Sequence, residues 1–428
     1  MLSKEENELL TKTAPGTPMG ELLRHYWIPA LLSEEILAPD GPPAQVKLLG
    51  EELVAFRDSM GRIGLLADHC SHRGASLYYG RNEDCGLRCI NHGWKYDVDG
   101  NVVDTPAEPG GSDFKKKVRH TAYPCKEVAG IIFAYLGPRD KMPLFPAYEW
   151  TQVPRNKTYV TKCLQECNYL QGLEGECDSS HLSYLHRSFK ATGRQALYSQ
   201  DSAPRYEVEE TDFGLRMVAL RGAGTGLQYV RVSSFVMPLA GCVPAGLATK
   251  DLDGYEIHFY VPADDHNSWR YDLGFRRSRA VKDEEVHRRK QIGPGYRRIR
   301  NAQNYYLQDR KVQNTESFTG IEDYLNHDSC ATESMGSLYD RSQEHLGTSD
   351  RAVIAMRRFL LRAVREVQNG KEPPHIIRDA AQNSFPHIDS IAEVIPADRH
   401  WSKVFVHMKQ SATDRAAPAE TPAPPVGA

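Results

Sequence analysis

The chain contains no apolar run near the roughly 18 residues that a membrane-crossing helix requires. Its start, Met1-Leu-Ser-Lys-Glu-Glu-Asn-Glu8, is acidic and polar, without the apolar core of a secretory signal. Cysteine is sparse: nine among 428 residues, too few for a disulfide scaffold. No charge of one sign dominates. Lys and Arg number 53 against 56 Asp and Glu, a net charge of −3, so neither nucleic acid nor an anionic membrane is the expected partner. No internal repeat is visible. These absences predict a cytoplasmic globular protein with reduced thiols, long enough for two or three domains.

What the chain does have is a pair of mixed Cys/His motifs. Cys70-Ser-His72 and Cys89-Ile-Asn-His92 each offer one thiolate and one imidazole, with sixteen residues between His72 and Cys89. Two thiolates on one iron and two imidazoles on the other make a Rieske [2Fe–2S] centre, whose histidines raise its potential. Gly74 and Gly93 follow the two pairs, where a positive φ lets backbone N–H groups turn toward the sulfurs. A structural zinc also takes two Cys and two His. Zinc fingers usually pair like with like along the chain, so the mixed pairs favour the cluster. His69 and Cys85 lie nearby but complete no second pair, and are read as bystanders.

Periodicity predicts the frame around these motifs. Residues 17–37 read as a helix and then a strand. From Pro43 to about Pro138 short half-apolar runs alternate with Gly, Asp and Pro turns, an all-β pattern. Residues 139–156 are rich in Pro and charge and read as a linker. A helix-like segment from about Gln165 to Phe189 precedes strands around 215–220, 227–236, 255–261 and 268–275, which look like one antiparallel sheet. The charged stretch 276–315 reads as a subunit contact. After Asp350, Val353, Met356, Leu360, Val364 and Val367 mark the buried stripe of a helix that Gly370 ends. The expected divisions are a helical lead-in (1–40), an iron–sulfur domain (41–140), a linker (141–156), a catalytic domain (157–412) and a disordered Pro/Ala-rich tail (413–428).

A second motif lies in Glu174-Gly-Glu-Cys-Asp178-Ser-Ser-His181-Leu-Ser-Tyr-Leu-His186. A helix would put Asp178 and His181 on one face. His181 and His186 would be splayed by about 140° on an ideal helix, so the helix must bend or end if both bind one ion. Two imidazoles and a carboxylate with open positions describe the facial triad of non-haem Fe(II) oxygenases. Two histidines five apart are by themselves more often structural. An iron–sulfur motif upstream changes that balance.

Cys70-Ser-His72-Arg-Gly-Ala-Ser-Leu77 with Cys89-Ile-Asn-His92-Gly-Trp-Lys-Tyr-Asp97 resembles the Rieske domain of ring-hydroxylating oxygenase large subunits. The Glu174–His186 pattern resembles their mononuclear iron motif. The chain is most similar to the phthalate 4,5-dioxygenase and aryl O-demethylase branch. That resemblance implies an α+β fold: an N-terminal all-β Rieske domain, then a C-terminal antiparallel-sheet catalytic domain with covering helices, of helix-grip type. It implies His181 and His186 as iron ligands and Asp178 as the carboxylate linking His181 to His92 of a neighbouring subunit. It implies Asp328, within Asn326-His327-Asp328, as the third ligand, ahead of His327 and Glu333. The relatives commonly have Gln where this chain has His327, whose role stays open. Homotrimers or stacked trimers, O2, an aromatic acid substrate and electrons from a separate NAD(P)H-dependent reductase or ferredoxin are also implied.

An anionic aromatic substrate needs a cation in an apolar pocket. Arg205, Arg231 and Arg270 lie on or near the predicted sheet, and His258 sits on a strand among aromatics. Each also reads as an ordinary strand residue. The expected activity is ring dihydroxylation of a phthalate-like acid or O-demethylation of a methoxylated aromatic acid, of the vanillate or dehydrodivanillate type. A Rieske electron carrier without oxygenase activity is the competing reading, and it has no use for Asp178, His181, His186 and Asp328.

Overall fold

Turn residues cut the N-terminal half into short strands, most of which pair with close neighbours in sequence. In the computed structural model, which describes residues 1–109, 112–244 and 253–406, Ala44–Leu48, Glu51–Arg57 and Ile63–Ala67 form one antiparallel sheet. Arg81–Glu83, Gly86–Arg88, Lys95–Tyr96 and Val102–Asp104 form a second. A third joins Trp27–Leu32 to Ile131–Tyr135 and Cys125–Val128. The lead-in is thus shared out: its strand enters the iron–sulfur half, while helices Lys4–Thr11 and Pro18–Arg24 pack on the long helix of the other half.

The C-terminal half is built on one antiparallel sheet of eight strands. Its order is Thr158–Gln165, Ser268–Phe275, Tyr255–Pro262, Ala240–Pro244, Leu227–Val236, Gly214–Gly222 and Arg205–Glu210, with Ile391–Pro396 paired to Leu227–Val236 beside Ala240–Pro244. All four predicted strands belong to it. Four more escaped the sequence reading. Thr158–Gln165 is buried along nearly its whole length and so shows no alternation, while Ala240–Pro244 is short and Ile391–Pro396 pairs across a long separation.

The predicted apolar stripe becomes helix Arg351–Gln368, with Met356, Phe359, Leu360 and Val364 buried. Asp350 flanks it but gives no side-chain cap to the helix; its carboxylate accepts instead from the Gly347 amide at 2.7 Å. Leu360 is 1% exposed. Leu360→Ala is expected to lower unfolding stability by about 2–5 kcal/mol through lost contacts and a residual cavity, measured by chemical denaturation of the holoprotein.

Charge in the 276–315 stretch is largely consumed within the chain. Arg276 pairs with Glu285 at 2.6 Å, Arg277 with Glu149 at 2.6 Å, and buried Arg298 with Glu333. The two halves are also pinned by Lys162, which meets Glu35 at 2.8 Å and lies 4.3 Å from the Trp269 ring. The predicted tail at 413–428 lies outside the described residues. Among those described, no helix is long and apolar enough to cross a membrane.

Candidate active site

Two tight turns present the cysteine pairs. The Gly74 amide donates to the Cys70 carbonyl at 2.8 Å, and the Gly93 amide to the Cys89 carbonyl at 3.1 Å. Both glycines have positive φ, +75° and +74°. At Gly74 nothing lies within 4 Å of a would-be Cβ, so its backbone angle is what calls for glycine; at Gly93 a Cβ would also strike Pro106 at 2.7 Å. Cys70 and Cys89 are buried, and the His72 and His92 rings approach to 4.5 Å between centroids. Trp94 stacks on His72 at 4.7 Å, and the Cys70 sulfur lies 3.0 Å from the Tyr96 hydroxyl. Burial pushes the Cys89 thiol up, while the amides of Asn91 and His92 act on the same sulfur in the opposite sense. His92 Nδ1 is buried and has no hydrogen-bond partner, as expected of a nitrogen reserved for a metal. The donor set and this orphan nitrogen fit a [2Fe–2S] cluster. His69, by contrast, is exposed beside Glu52.

The second motif departs from the helix expected. Helix Tyr169–Cys177 stops just before Asp178, whose backbone is extended, and His181–Ser183 forms a single tight turn. Asp178 and His181 meet across that turn, not along a helix face. Asp178 Oδ1 accepts from the Ser180 amide at 2.6 Å and Oδ2 from the His181 amide at 3.2 Å, with His181 Nδ1 at 3.4 Å from Oδ2. The helix itself sits close on the sheet because Gly172 leaves room for Tyr260, 2.1 Å from where a Cβ would stand.

Helix Tyr324–Glu333 supplies the distant carboxylate. His181, His186 and Asp328 converge, with one donor atom from each within 4.8 Å of the others. His186 Nε2 lies 2.9 Å and His181 Nε2 4.0 Å from Asp328 Oδ1. Burial pushes His186 down to about 4, so its imidazole is neutral at physiological pH, the form in which it could bind a metal. Burial works against ionisation of Asp328, but His186, Arg270 and His181 hold its carboxyl well below the usual range. Two neutral-capable imidazoles and one carboxylate fit a mononuclear Fe(II). The alternatives to Asp328 are otherwise engaged: His327 bonds to His186, and Glu333 to Arg298, Tyr306 and the Glu166 amide.

His181, His186 and Asp328 open onto a cavity of about 1250 Å³, which Arg231, His258 and Arg270 also line. Arg270 is buried among carboxylates, 2.8 Å from Asp272 and 3.5 Å from Asp328. His258 meets Glu176 at 2.8 Å and Asp272 at 3.4 Å, and the Tyr260 hydroxyl donates to Glu176 at 2.7 Å. These two candidate substrate residues therefore brace the back of the Asp328 site. Sequence reasoning missed Glu176, Tyr260 and Asp272. A signal was present: His258 and Tyr260 face Asp272 and Arg270 in register, and alternate residues share one face. Arg231 differs. It is 8% exposed, its Nη1 is buried without a hydrogen bond, and no carboxylate pairs with it among the described residues. Arg205 is a correction. It stands on an edge strand with its side chain 72% exposed, 3.7 Å from Glu207, and is not among the cavity residues; the outward face of that strand carries it into solvent.

An all-β half with paired Cys/His turns, joined to a helix-covered sheet with a two-histidine, one-carboxylate site, defines a Rieske-type non-haem iron protein. Residues 26–122 match the Rieske [2Fe-2S] domain, and residues 134–422 match the family described as LigXa C-terminal domain like. The chain belongs to the oxygenase subunits of Rieske non-haem iron aromatic ring-hydroxylating oxygenases, in the phthalate 4,5-dioxygenase and aryl O-demethylase branch.

It is 40% identical over 393 residues to a phthalate 4,5-dioxygenase oxygenase subunit from Pseudomonas putida, covering 87% of this chain and 88% of the relative. A 3-chlorobenzoate-3,4-dioxygenase oxygenase subunit from Comamonas testosteroni is 34% identical (90% and 94% covered). A 5,5'-dehydrodivanillate O-demethylase oxygenase subunit from a Sphingobium species is 30% identical (96% and 93%). Dicamba monooxygenase bound to dicamba shares the fold with a TM-score of 0.57 at 18% identity, covering 82% of this chain and 99% of that one. The chain is an O2-incorporating oxidoreductase, the terminal oxygenase of a system completed by a separate ferredoxin or reductase, with a Rieske [2Fe–2S] cluster and a mononuclear non-haem iron as cofactors.

Proposed function

We propose that this oxygenase acts on a carboxylated aromatic ring, dihydroxylating it, with Arg231 holding the carboxylate. The observation that carries the reading is the Arg231 guanidinium, without a carboxylate partner among the described residues, in the cavity shared by His181, His186 and Asp328. A buried cation without a counter-ion is costly, and a substrate carboxylate would supply the missing partner. O-demethylation of a methoxylated aromatic acid is a second reading, favoured by the 30% identical demethylase relative. It calls for the same carboxylate anchor.

In this reading Cys70 and Cys89 would hold one iron of the cluster, His72 and His92 the other, and His181, His186 and Asp328 the mononuclear iron. When bound, the cluster would supply single electrons and the mononuclear iron the chemistry of O2 activation. Asp178 orients His181 by accepting its Nδ1–H and retains an exposed edge, its side chain being 26% accessible. That edge would receive the partner subunit's His92, so one carboxylate would span two metal sites across a subunit boundary. A head-to-tail homotrimer would satisfy that geometry. Tyr79 and Ile90 are exposed at the cluster turns, and Tyr184 and Phe189 beside the His181 turn, apolar surfaces suited to such a contact.

Arg231→Met is expected to lower kcat/KM for benzene carboxylates by about tenfold to a hundredfold, the worth of one buried charge-assisted pair. A neutral aromatic amide analogue should lose far less; equal losses on both would remove Arg231 from substrate recognition. A panel of phthalates, chlorobenzoates and methoxybenzoates, followed by O2 uptake, separates the reactions. A cis-diol marks dihydroxylation and formaldehyde marks demethylation. O2 uptake on none of the carboxylated rings would overturn the substrate class.

A further inference from the structure

His327 occupies the position just before the carboxylate Asp328, and its ring is turned away from the site. Its Nε2 lies 2.7 Å from the Ile321 carbonyl and 3.1 Å from the Thr319 hydroxyl. Its Nδ1 lies 3.1 Å from Nδ1 of His186. The ring is 6% exposed and lies nearly parallel to His186, 21° between planes at 5.3 Å.

The hydrogen-bond inventory assigns the protons. A backbone carbonyl can only accept, so His327 Nε2 must carry a hydrogen. With Nε2–H spent on the Ile321 carbonyl, His327 can accept through its Nδ1 lone pair, and two imidazole nitrogens at 3.1 Å need one hydrogen between them. That hydrogen belongs to His186 Nδ1. His186 would thereby present Nε2 as its donor atom to a bound ion; Nε2 is the atom facing Asp328 Oδ1 at 2.9 Å, the contact an ion would replace. The two site histidines are held differently: His181 by the anionic Asp178, His186 by the His327 imidazole, itself anchored to backbone.

We propose that His327 is a positioning residue for the mononuclear site, fixing the tautomer and ring plane of His186 through an Ile321 carbonyl–His327–His186 chain. The proposal rests on the reading that His181, His186 and Asp328 bind the iron. It predicts a specific rescue. A glutamine amide can accept through its oxygen from His186 Nδ1–H and donate through its nitrogen toward Ile321 or Thr319, whereas leucine can do neither.

The test is Fe(II) affinity of the mononuclear site, measured by chelator competition on protein with full cluster absorbance. His327→Leu should weaken Fe(II) binding by about tenfold to a hundredfold, the usual cost of an outer partner to a ligating histidine. His327→Gln should return to within a few-fold of the parent. Parent-like affinity in His327→Leu, or equal losses in His327→Leu and His327→Gln, would overturn the proposal. A second measurement needs no variant at position 327. Nitrogen-15 histidine spectra of the Zn(II)-loaded parent, with the His186 resonance identified by its absence in His186→Ala, should show His186 protonated at Nδ1; protonation or ligation the other way round would also overturn it. If the parent binds no iron beyond the cluster's pair, the ligand assignment itself has failed, a result distinct from either of these.

Discussion

His181→Ala is expected to leave the visible absorbance of the Rieske cluster intact while oxygenation falls by at least about a hundredfold, since losing even an outer partner of a metal ligand can cost that much. The reason lies in the separation of the two donor sets. The cluster residues sit on turns of the all-β half, whereas His181 sits on a turn after the helix Tyr169–Cys177. Removing one imidazole leaves His186 and Asp328 as the only two of the three converging donors. Iron analysis should fall from about three to about two atoms per chain, on the count of two in the cluster and one outside it. Loss of the cluster colour in this variant would place His181 in the wrong site.

Asp178→Asn is expected to act on turnover with a different signature. Both metals should stay, because neither the cluster residues nor the three converging donors are touched. Turnover should slow by about tenfold to a hundredfold, the range for a hydrogen-bonding partner of a ligating histidine. Asp178 gathers the Ser180 and His181 amides and the His181 ring, all of them donors. An asparagine can offer one oxygen to this set but must turn its NH2 toward a further donor, and it cannot hold two imidazoles as an acceptor. Oxidation of the reduced cluster in a single turnover, followed by stopped-flow absorbance, is the decisive measurement. A parent-like rate in this variant would end the bridging role.

The same residues show how far sequence reading extends. A bend or stop between His181 and His186 was foreseen from their five-residue spacing. The helix in fact stops earlier, before Asp178, because the Asp178 carboxylate takes up the amides of the following turn. That competition between side chain and backbone is local, but nothing in apolar periodicity announces it. Arg270 and His258 were legible as polar residues on strands. That they face Glu176 and Asp272, and so serve the wall of the site, depends on the register between strands Tyr255–Pro262 and Ser268–Phe275. Arg231 and Arg205 looked alike in sequence. One faces a cavity and the other solvent, according to the side of the sheet and the distance from its edge.

The amino-acid sequence by itself determined the chemistry available. Mixed Cys/His pairs, each followed by a glycine, specify their ligands and their turns within a few residues, and local information is what a sequence carries directly. The apolar stripe of Arg351–Gln368 was readable for the same reason. Only the tertiary structure decided which carboxylate joins His181 and His186, that Arg231 meets no carboxylate among the described residues while Arg270 meets several, and that His327 turns its ring onto His186. Each of those outcomes depends on side chains from distant segments meeting at a few ångströms, and such meetings are set by sheet register and helix packing over the whole chain.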